Sequence, residues 1–487
     1  MIDTDALRKK VIDLAIQGKL TEQLPSDGDA ETLYARIQEE KGRLVKEGKI
    51  KKDKAFPDIS ADEIPFEIPK NWKWVHMGDI FDHNTGKALN NSDKEGKKLE
   101  YITTSNMYWD HFELNSLKSM FFKESEIEKC TIKKGDLLIC EGGDIGRSAI
   151  WCFDYEMRIQ NHIHKLRGYG GIDHRFYFYI MRNYKDSGMI DGRGIGLQGF
   201  SSKRVHSLVV PLAPLAEQKR IAEKLEELFS QIDIIDDLQS KYSNDLAVLK
   251  SKIIDAGIQG KLTEQLPEDG NAEDFRLEAS RYKETLTAQG VLKNRKNKEI
   301  KEITDREVPY ELPNSWSWFR LGEIVEVFGR IGFRGYTKSD LVQRNQGAIS
   351  MSPSNISKDG EISFDESTYI SWDKYEESPE IMLKEGDIVL VKTGSSYGKC
   401  GIIKKLPEKA TINPQLAILK YVKCNNKYLY YVLQSSVAWK QYESFVIGAA
   451  TPTFSQEKLS NMLIPIAPIK EQKRIADKID EFLETIA

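Results

Sequence analysis

Long apolar runs are missing from this 487-residue chain. Without a stretch of about 20 apolar residues, no transmembrane helix is expected. Cysteine is scarce: five residues lie between Cys130 and Cys424. That excludes a disulfide-stapled fold and fits reduced thiols in a cytoplasm. The opening Met1-Ile2-Asp3-Thr4-Asp5 lacks the basic and apolar regions of a secretory signal. An excess of positive charge is also missing, with 71 Lys+Arg against 75 Asp+Glu and a net charge of −4. Taken whole, that balance speaks against a nucleic-acid partner. What is present is 40% hydrophobic and 10% aromatic content, enough to bury more than one core. The length is that of about three domains at roughly 150 residues each.

The chain is written twice. VIDLAIQGKLTEQLP (11–25) returns as IIDAGIQGKLTEQLP (253–267), with 12 of 15 positions identical. PFEIPKNWKWVHMGDI (65–80) returns as PYELPNSWSWFRLGEI (309–324), and KKGDLLICEGGDIGRSAI (133–150) more loosely as KEGDIVLVKTGSSYGKCGI (384–402). PLAEQKRIAEKLEEL (214–228) returns as PIKEQKRIADKIDEF (468–482), with nine of 15 identical. Each copy is domain-sized, far longer than a solenoid repeat. Each has a closely matched helical part and a divergent insert. Divergent inserts in a shared frame fit one kind of job done on two targets; neutral drift after duplication is the alternative.

From Pro214 onward, apolar residues at Ile221, Leu225, Leu228, Ile232, Ile235, Tyr242, Leu246, Leu249 and Ile253 alternate in steps of four and three. This predicts a coiled-coil seam on a helix of about 65 Å. Gln239 occupies one seam slot, either fixing register or locally solvated. Ile475, Ile479, Phe482 and Ile486 match the first half of this seam, and Leu7, Val11 and Leu14 the second. A second helical spacer is therefore expected from two segments, one near each end of the chain, antiparallel to the central helix. Charged helices are expected at about 30–48 and 272–290. The basic runs Lys49–Lys54 and Lys293–Lys301 read first as solvated linkers.

The inserts are strand-rich. Leu137–Cys140 and Ile388–Val391, each after a Gly-Asp turn, have the pattern of buried strands. Gly-rich loops follow them, at Glu141–Gly146 and Thr393–Gly398, and helices are expected around Arg175–Tyr184 and Lys427–Ser435. Charge inside the inserts is uneven: residues 158–204 hold nine Lys/Arg against three acids, and 384–440 hold ten against three. Two basic segments beside Gly-rich loops suit contact with a phosphate backbone. The interleaved aromatics, such as Phe176 to Tyr179 and Tyr428 to Tyr431, read as core rather than stacking platforms.

Catalytic patterns fail. Gly394-Ser395-Ser396-Tyr397-Gly398-Lys399-Cys400 is one residue short between its glycines for a phosphate-binding loop, and Cys400 stands where that loop has Ser/Thr. His162-x-His164, with Cys152 nearby, lacks the paired cysteines of a zinc site, so a structural or DNA-facing role is expected. Gly192-Arg193-Gly194-Ile195-Gly196 lacks the preceding strand and distal acid of a dinucleotide fingerprint. Asn413-Pro414-Gln415-Leu416 lacks the second proline and aromatic of an amino-methyltransferase motif.

Three motifs carry a family resemblance: Ala15-Ile16-Gln17-Gly18-Lys19-Leu20, Pro69-x-x-Trp72-x-Trp74 with Gly78, and Pro214-x-x-Glu217-Gln218-Lys219-Arg220-Ile221-Ala222. With Pro313, Trp316, Trp318, Gly322 and Glu471–Ala476 in the second copy, the chain resembles type I restriction-modification specificity subunits over essentially its whole length. The fold class expected is mixed α/β (α+β-like) recognition domains plus long antiparallel coiled-coil helices, in a tandem pseudo-two-fold duplication. The boundaries expected are residues 1–64 (distal spacer half and linker helix), 65–213 (first target-recognition domain), 214–308 (central spacer and linker helix), 309–467 (second recognition domain) and 468–487 (the other spacer half). The resemblance implies that each recognition domain reads one half of an asymmetric bipartite DNA site, and that the helices space the halves and dock two modification subunits. Restriction subunits would join them. It implies no catalytic residue and no cofactor or metal on this chain: S-adenosylmethionine belongs to the modification subunits, and ATP and magnesium to the restriction subunits. A stand-alone DNA-modifying or DNA-cleaving enzyme and a non-DNA coiled-coil scaffold are the alternatives. The family supplies no single-residue DNA motif, so local charge and loop position select the DNA-binding candidates. These are Arg147, Arg193, Gln198, Lys203 and Arg204 in the first domain, and Arg330, Arg334, Lys338, Lys392 and Lys399 in the second.

Overall fold

The computed structural model describes residues 1–51, 55–90, 94–190, 199–292, 300–330, 335–448 and 450–486. The chain divides into two compact units, Met1–Ser240 and Lys241–Ala487. They share most of one element order and differ at an edge of the second sheet, where unit 1 has Thr131–Ile132 beside Met157–Ile159 and unit 2 has Leu341–Val342 beside Thr368–Ser371.

Unit 1 opens on the helix Thr4–Ile16, whose N-terminus is capped by the Asp3 carboxylate accepting from Ala6 N at 2.9 Å. Val11, Ile12, Ala15 and Ile16 form its buried face, the one-turn spacing of an amphipathic helix. Gly18 ends it with φ of 66°, and Lys19 N donates to Leu14 O at 2.8 Å, a left-handed C-cap. A Cβ here would sit 2.5 Å from Pro69 Cγ, so glycine is required both for its backbone angle and for the close approach. Unit 2 repeats the device: Gly260 has φ of 72°, and a Cβ there would meet Pro313 Cγ at 2.6 Å. The shared Gly-Lys-Leu-Thr turn is thus a joint between helix and Pro-x-x-Trp segment. The charged helices follow at Ala30–Lys46 and Ala272–Ala288, capped by Asp29 and Asn271.

Each insert is closed at its ends by an antiparallel strand pair. Lys73–His76 pairs Val209–Leu212 with Trp74 opposite Pro211, and Ser317–Arg320 pairs Leu463–Ile466 with Trp318 opposite Pro465. Between these strands lie two four-stranded sheets per unit. The first in unit 1 runs Phe81–Thr85, Ile163–Gly168, Leu137–Cys140, Ser148–Ile150, all antiparallel. Its counterpart runs Glu326–Phe328, Leu416–Lys420, Ile388–Val391, Cys400–Ile402. The second sheet mixes parallel and antiparallel pairs: Lys97–Ile102 is parallel to Met157–Ile159, as Gly347–Met351 is to Ala410–Ile412.

The expected buried strands are buried on both faces. Leu137 and Ile139 enter the core against the helix His174–Asp186, while Leu138 and Cys140 enter a second core between the sheets. Ile388 and Leu390 part from Val389 and Val391 in the same way. Two apolar sides are why these runs read as continuous rather than alternating. The helices expected near 175 and 427 are present at His174–Asp186 and Asn426–Gln434. Phe176 to Tyr179, Tyr428 and Tyr431 are core residues.

The central helix spans Leu215–Ile258. In unit 1 the helix Thr4–Ile16 runs antiparallel to it: Ile2 N donates to Gln239 Oε1 at 2.5 Å, Thr4 Oγ1 to Asp236 at 2.5 Å, and Arg8 to Asp233 at 2.7 Å and Asp236 at 2.8 Å. Gln239 also donates to Ile2 O at 3.2 Å, so its carboxamide clasps the backbone N–H and C=O of one residue. In unit 2, Gly257 packs on Ile475 and Ile479 of the helix Ile469–Thr485. The seam is shorter than its periodicity implies. Ile221, Leu225 and Ile232 are buried, but Tyr242 and Leu249 are 61% and 44% exposed, and Ile254 and Ile258 take the buried positions instead. All five cysteines are free, with Cys152 exposed. Among the described residues no helix is long and apolar enough to cross a membrane.

Candidate nucleic-acid interface

The residues that the two copies share most closely are spent inside the frame. Glu217 is fully buried and accepts the indole N–H of Trp72 at 2.8 Å and the Gln23 amide. Burial pushes its carboxyl up, opposed by those two bonds. Glu471 accepts from Trp316 at 2.9 Å, Thr263 at 2.9 Å and Gln265 at 3.0 Å. Gln218 accepts from Asp173 N at 3.0 Å and donates to Ala213 O at 2.8 Å; Gln472 repeats this with Asn425 N and Ala467 O at 2.8 Å each. Arg220 grips Asp27 through two bonds of 2.8 and 2.6 Å, and Arg474 grips Asp269 at the same two distances. The Glu-Gln-Lys-Arg motif therefore ties the start of each long helix to the turn, the Pro-x-x-Trp segment and the insert of its own unit.

Within the divergent inserts, loops of unlike sequence come together at the same corner of each first sheet. In unit 1 the Glu141–Gly146 loop, the 160–163 turn, the Gly86–Lys87 segment and Phe200 are stitched by backbone bonds. Phe200 N donates to Glu141 O at 2.8 Å, Glu141 N to His162 O at 2.9 Å, and Asn161 N to Lys87 O at 3.0 Å. In unit 2 the Thr393–Gly398 loop meets Gln415 and the 452–454 segment: Phe454 N donates to Lys392 O at 3.1 Å and Gly394 N to Pro452 O at 2.9 Å. Corresponding corners thus carry unlike side chains on matched scaffolds.

The charge-selected candidates divide. Lys203 is exposed beside Arg204, which lies over the Phe200 ring at 5.5 Å, and this pair adjoins the unit 1 corner. Lys338 is exposed on the turn Lys338–Asp340. Lys392 is half-buried at the unit 2 corner, where burial lowers its ammonium pKa. Arg147 and Lys399 occupy equivalent positions and act as braces: Arg147 donates to Thr104 O at 2.7 Å, and Lys399 to Ile356 O. Arg330 is a correction. It is 1% exposed, donates to Ile412 O at 3.2 Å and Thr411 Oγ1 at 3.3 Å, and faces Tyr336. A guanidinium bonded inside the sheet layer braces the fold and is withdrawn from the DNA-facing set. Arg193, Gln198 and Arg334 lie outside the described residues, as do 52–54 and 293–299 of the basic linkers.

His162 and His164 part company: the first is exposed, the second fully buried. His164 Nε2 bonds Phe200 O at 2.6 Å, so it is the donor and its Nδ1 must accept. His83 Nε2 bonds that Nδ1 at 2.9 Å, and His206 Nε2 bonds His83 Nδ1 at 2.7 Å. The result is a one-way chain of neutral imidazoles holding Phe200 and the helix Ser202–Ser207 to the sheet. Burial drives His83 down to about 3 and lowers His164 as well. The ring nitrogens bond one another instead of converging on a point, and no group of three or more His, Cys, Asp or Glu among the described residues is placed to hold a metal.

A duplicated rigid frame that presents two different loop corners defines a tandem recognition protein. Comparison with known proteins gives the same class. The family model described as "Type I restriction modification DNA specificity domain" matches residues 69–241 and 313–487. The EcoAI specificity subunit of Escherichia coli is 27% identical over 98% of this chain and 89% of its own length. The EcoEI specificity subunit of the same organism is 25% identical over the same shares. A chain in a solved type I R-M system structure shares the fold, with 16% identity and a TM-score of 0.58 over 87% of this chain and 92% of that one. The chain belongs to the type I restriction-modification DNA specificity family. It is a DNA-specificity subunit, a recognition component and not the catalyst.

Proposed function

We propose that residues 65–213 and 309–467 are two target-recognition domains, each reading one half of an asymmetric bipartite DNA site. The observation that carries this is the contrast just described: matching Trp–Glu, Gln and Arg–Asp networks support loop corners whose side chains differ. Residues 1–64, 214–308 and 468–487 form the spacers that set the distance between halves and dock two modification subunits. Thr4–Ile16 and Ile469–Thr485 serve as segments of the second spacer, supported by the packing of each on the part of the central helix in its own unit. The modification subunits bring S-adenosylmethionine, restriction subunits bring ATP and magnesium, and the assembly works in the cytoplasm. Lys203 and Arg204 beside the unit 1 corner, Lys392 at the unit 2 corner and Lys338 on its turn supply phosphate contacts, and Arg193, Gln198 and Arg334, which lie outside the described residues, belong to the same proposed set. The test is methylome sequencing of a host carrying the chain with its modification partner. One bipartite motif is expected, and replacing residues 65–213 by the insert of a relative must change one half of it. A motif left intact by the exchange overturns the domain assignment.

A further inference from the structure

One turn sits at both corners on the same backbone. In unit 1, Met157–Ile159 passes into Ile163–Gly168 through Gln160-Asn161-His162, closed by Ile163 N donating to Gln160 O at 3.0 Å. In unit 2, Ala410–Ile412 passes into Leu416–Lys420 through Asn413-Pro414-Gln415, closed by Leu416 N donating to Asn413 O at 3.2 Å. The first residue of each turn is anchored to the neighbouring strand end, Gln160 N to Ile102 O at 3.0 Å and Asn413 N to Met351 O at 2.8 Å. The third is anchored to the Gly-rich loop: His162 O accepts from Glu141 N at 2.9 Å, and Gln415 O from Lys392 N at 2.9 Å. The first and third residues of the two turns are therefore fixed in the same way, while the middle one differs: Asn161 N donates to Lys87 O at 3.0 Å, and Pro414 has no N–H to donate.

Three of the turn side chains, Gln160, Asn161 and Gln415, keep hydrogen-bonding groups unused, whereas His162 faces Glu141 at 3.6 Å and Asn413 accepts from Gln415 N at 2.9 Å. Among the described residues the carboxamides of Gln160 and Asn161 have no protein partner and stand half-exposed; Gln415 is exposed, with its Nε2 unbonded and only its Oε1 held, by Asn413 at 3.2 Å. Amides with structural duties in this protein look different. Asn106 accepts from Thr103 N at 3.0 Å and donates to Glu113 O at 3.0 Å; Asn355 accepts from Ser352 N at 2.8 Å and donates to Ser363 O at 3.0 Å. Both are buried. A carboxamide offers a donor and an acceptor side by side, the pattern that matches the N6 and N7 edge of adenine in the major groove. A rigid turn presents it without an ordering cost at the moment of binding.

We propose that these turns are base-reading elements, with Gln160 and Asn161 in unit 1 and Gln415 in unit 2 each contacting an adenine edge in its own half-site. The inference rests on the two-domain reading above and adds the residues that carry specificity. The test uses the full chain assembled with its modification subunits on a library of DNA randomised over both half-sites, with methylated positions read by sequencing. Gln160→Ala and Asn161→Ala are expected to relax the preference for adenine at one or two positions of one half-site by about tenfold or more, leaving the other half-site as it was. Gln415→Ala is expected to do the same in the other half only. Full discrimination retained by all three variants overturns the inference. So does uniform weakening at every position, which marks a backbone contact, or relaxation of one and the same half-site by variants in both units. A wild-type assembly that shows no bipartite preference overturns the two-domain reading itself. Gln415 is exposed and lies in a separate unit, so a folding defect in the unit 1 variants leaves an independent measurement.

Discussion

Trp72 donates its indole N–H to the buried carboxylate of Glu217 at 2.8 Å, across 145 residues of chain. The bond ties the entrance of the first insert to the helix that leaves it, and Trp316 with Glu471 repeats it in unit 2. Trp72→Phe removes the donor and leaves a buried carboxylate with one bond fewer. A loss of about 1–3 kcal/mol is expected, visible in urea denaturation as an earlier transition for unit 1. An unchanged midpoint would show that the bond is energetically idle.

Two glycines separate backbone need from space. Gly18→Ala forces a side chain into the left-handed region and against Pro69, and should cost about 1–3 kcal/mol. Gly42, inside the helix Ala30–Lys46 with nothing within 4 Å of its would-be Cβ, should gain about 1 kcal/mol as Gly42→Ala. Opposite signs in paired thermal melts are the expected result; equal signs refute the C-cap account.

The imidazole chain makes the first unit acid-sensitive. His83 is neutral in the fold with a pKa of about 3 against an ordinary value of 6.5. Between those values the unfolded state binds the extra proton, so stability falls as pH falls below 6.5, by about 1.4 kcal/mol per unit for one proton. His83→Gln should flatten that slope in unfolding curves taken from pH 7 to pH 5. A slope equal to wild type would place the acid sensitivity elsewhere.

Lys203 and Arg330 are predicted to fail in different ways. Lys203→Ala should keep its melting temperature, weaken DNA binding evenly across sequences, and reduce the salt slope of log K by about one. Arg330→Ala strips bonds from Ile412 O and Thr411 and should lower the melting temperature before any DNA is added. Melting and salt titration of both variants, measured side by side, decide it; a stable Arg330→Ala with weakened binding would return that residue to the DNA-facing set.

Four helix-forming residues inserted after Gln239 lengthen the central helix by about 6 Å. On DNA rising about 3.4 Å per base pair, the spacer of the recognised motif should grow by one or two base pairs, or modification should cease. Methylome sequencing reads the outcome, and an unchanged spacer contradicts the ruler role.

Much of the fold is legible in the chain because repetition and burial both write patterns. Leu137–Cys140 and Ile388–Val391 read as buried strands since each has a core on either side. Gly18 and Gly260 read as helix ends because the left-handed angle selects glycine. The seam was legible only in its first half: Tyr242 and Leu249 keep the spacing yet stand exposed, since periodicity marks an apolar stripe and not whether a partner covers it.

The sequence by itself determined the duplication, the frame motifs, the buried strands and the family, all of which depend on residues near one another or on copies that can be compared. Only the tertiary structure decided which polar groups are spent. Arg330 stands in a Gly-rich run of sequence, Gly329-Arg330-Ile331-Gly332, yet Ile412, 82 residues on, takes its bond. His83, His164 and His206 become one chain although 81 and 123 residues separate the bonded pairs. Gln160, Asn161 and Gln415 look like any loop amides until their anchored backbones and idle side chains are seen together. Charge and residue type are local properties; whether a donor is satisfied depends on what the fold brings to it.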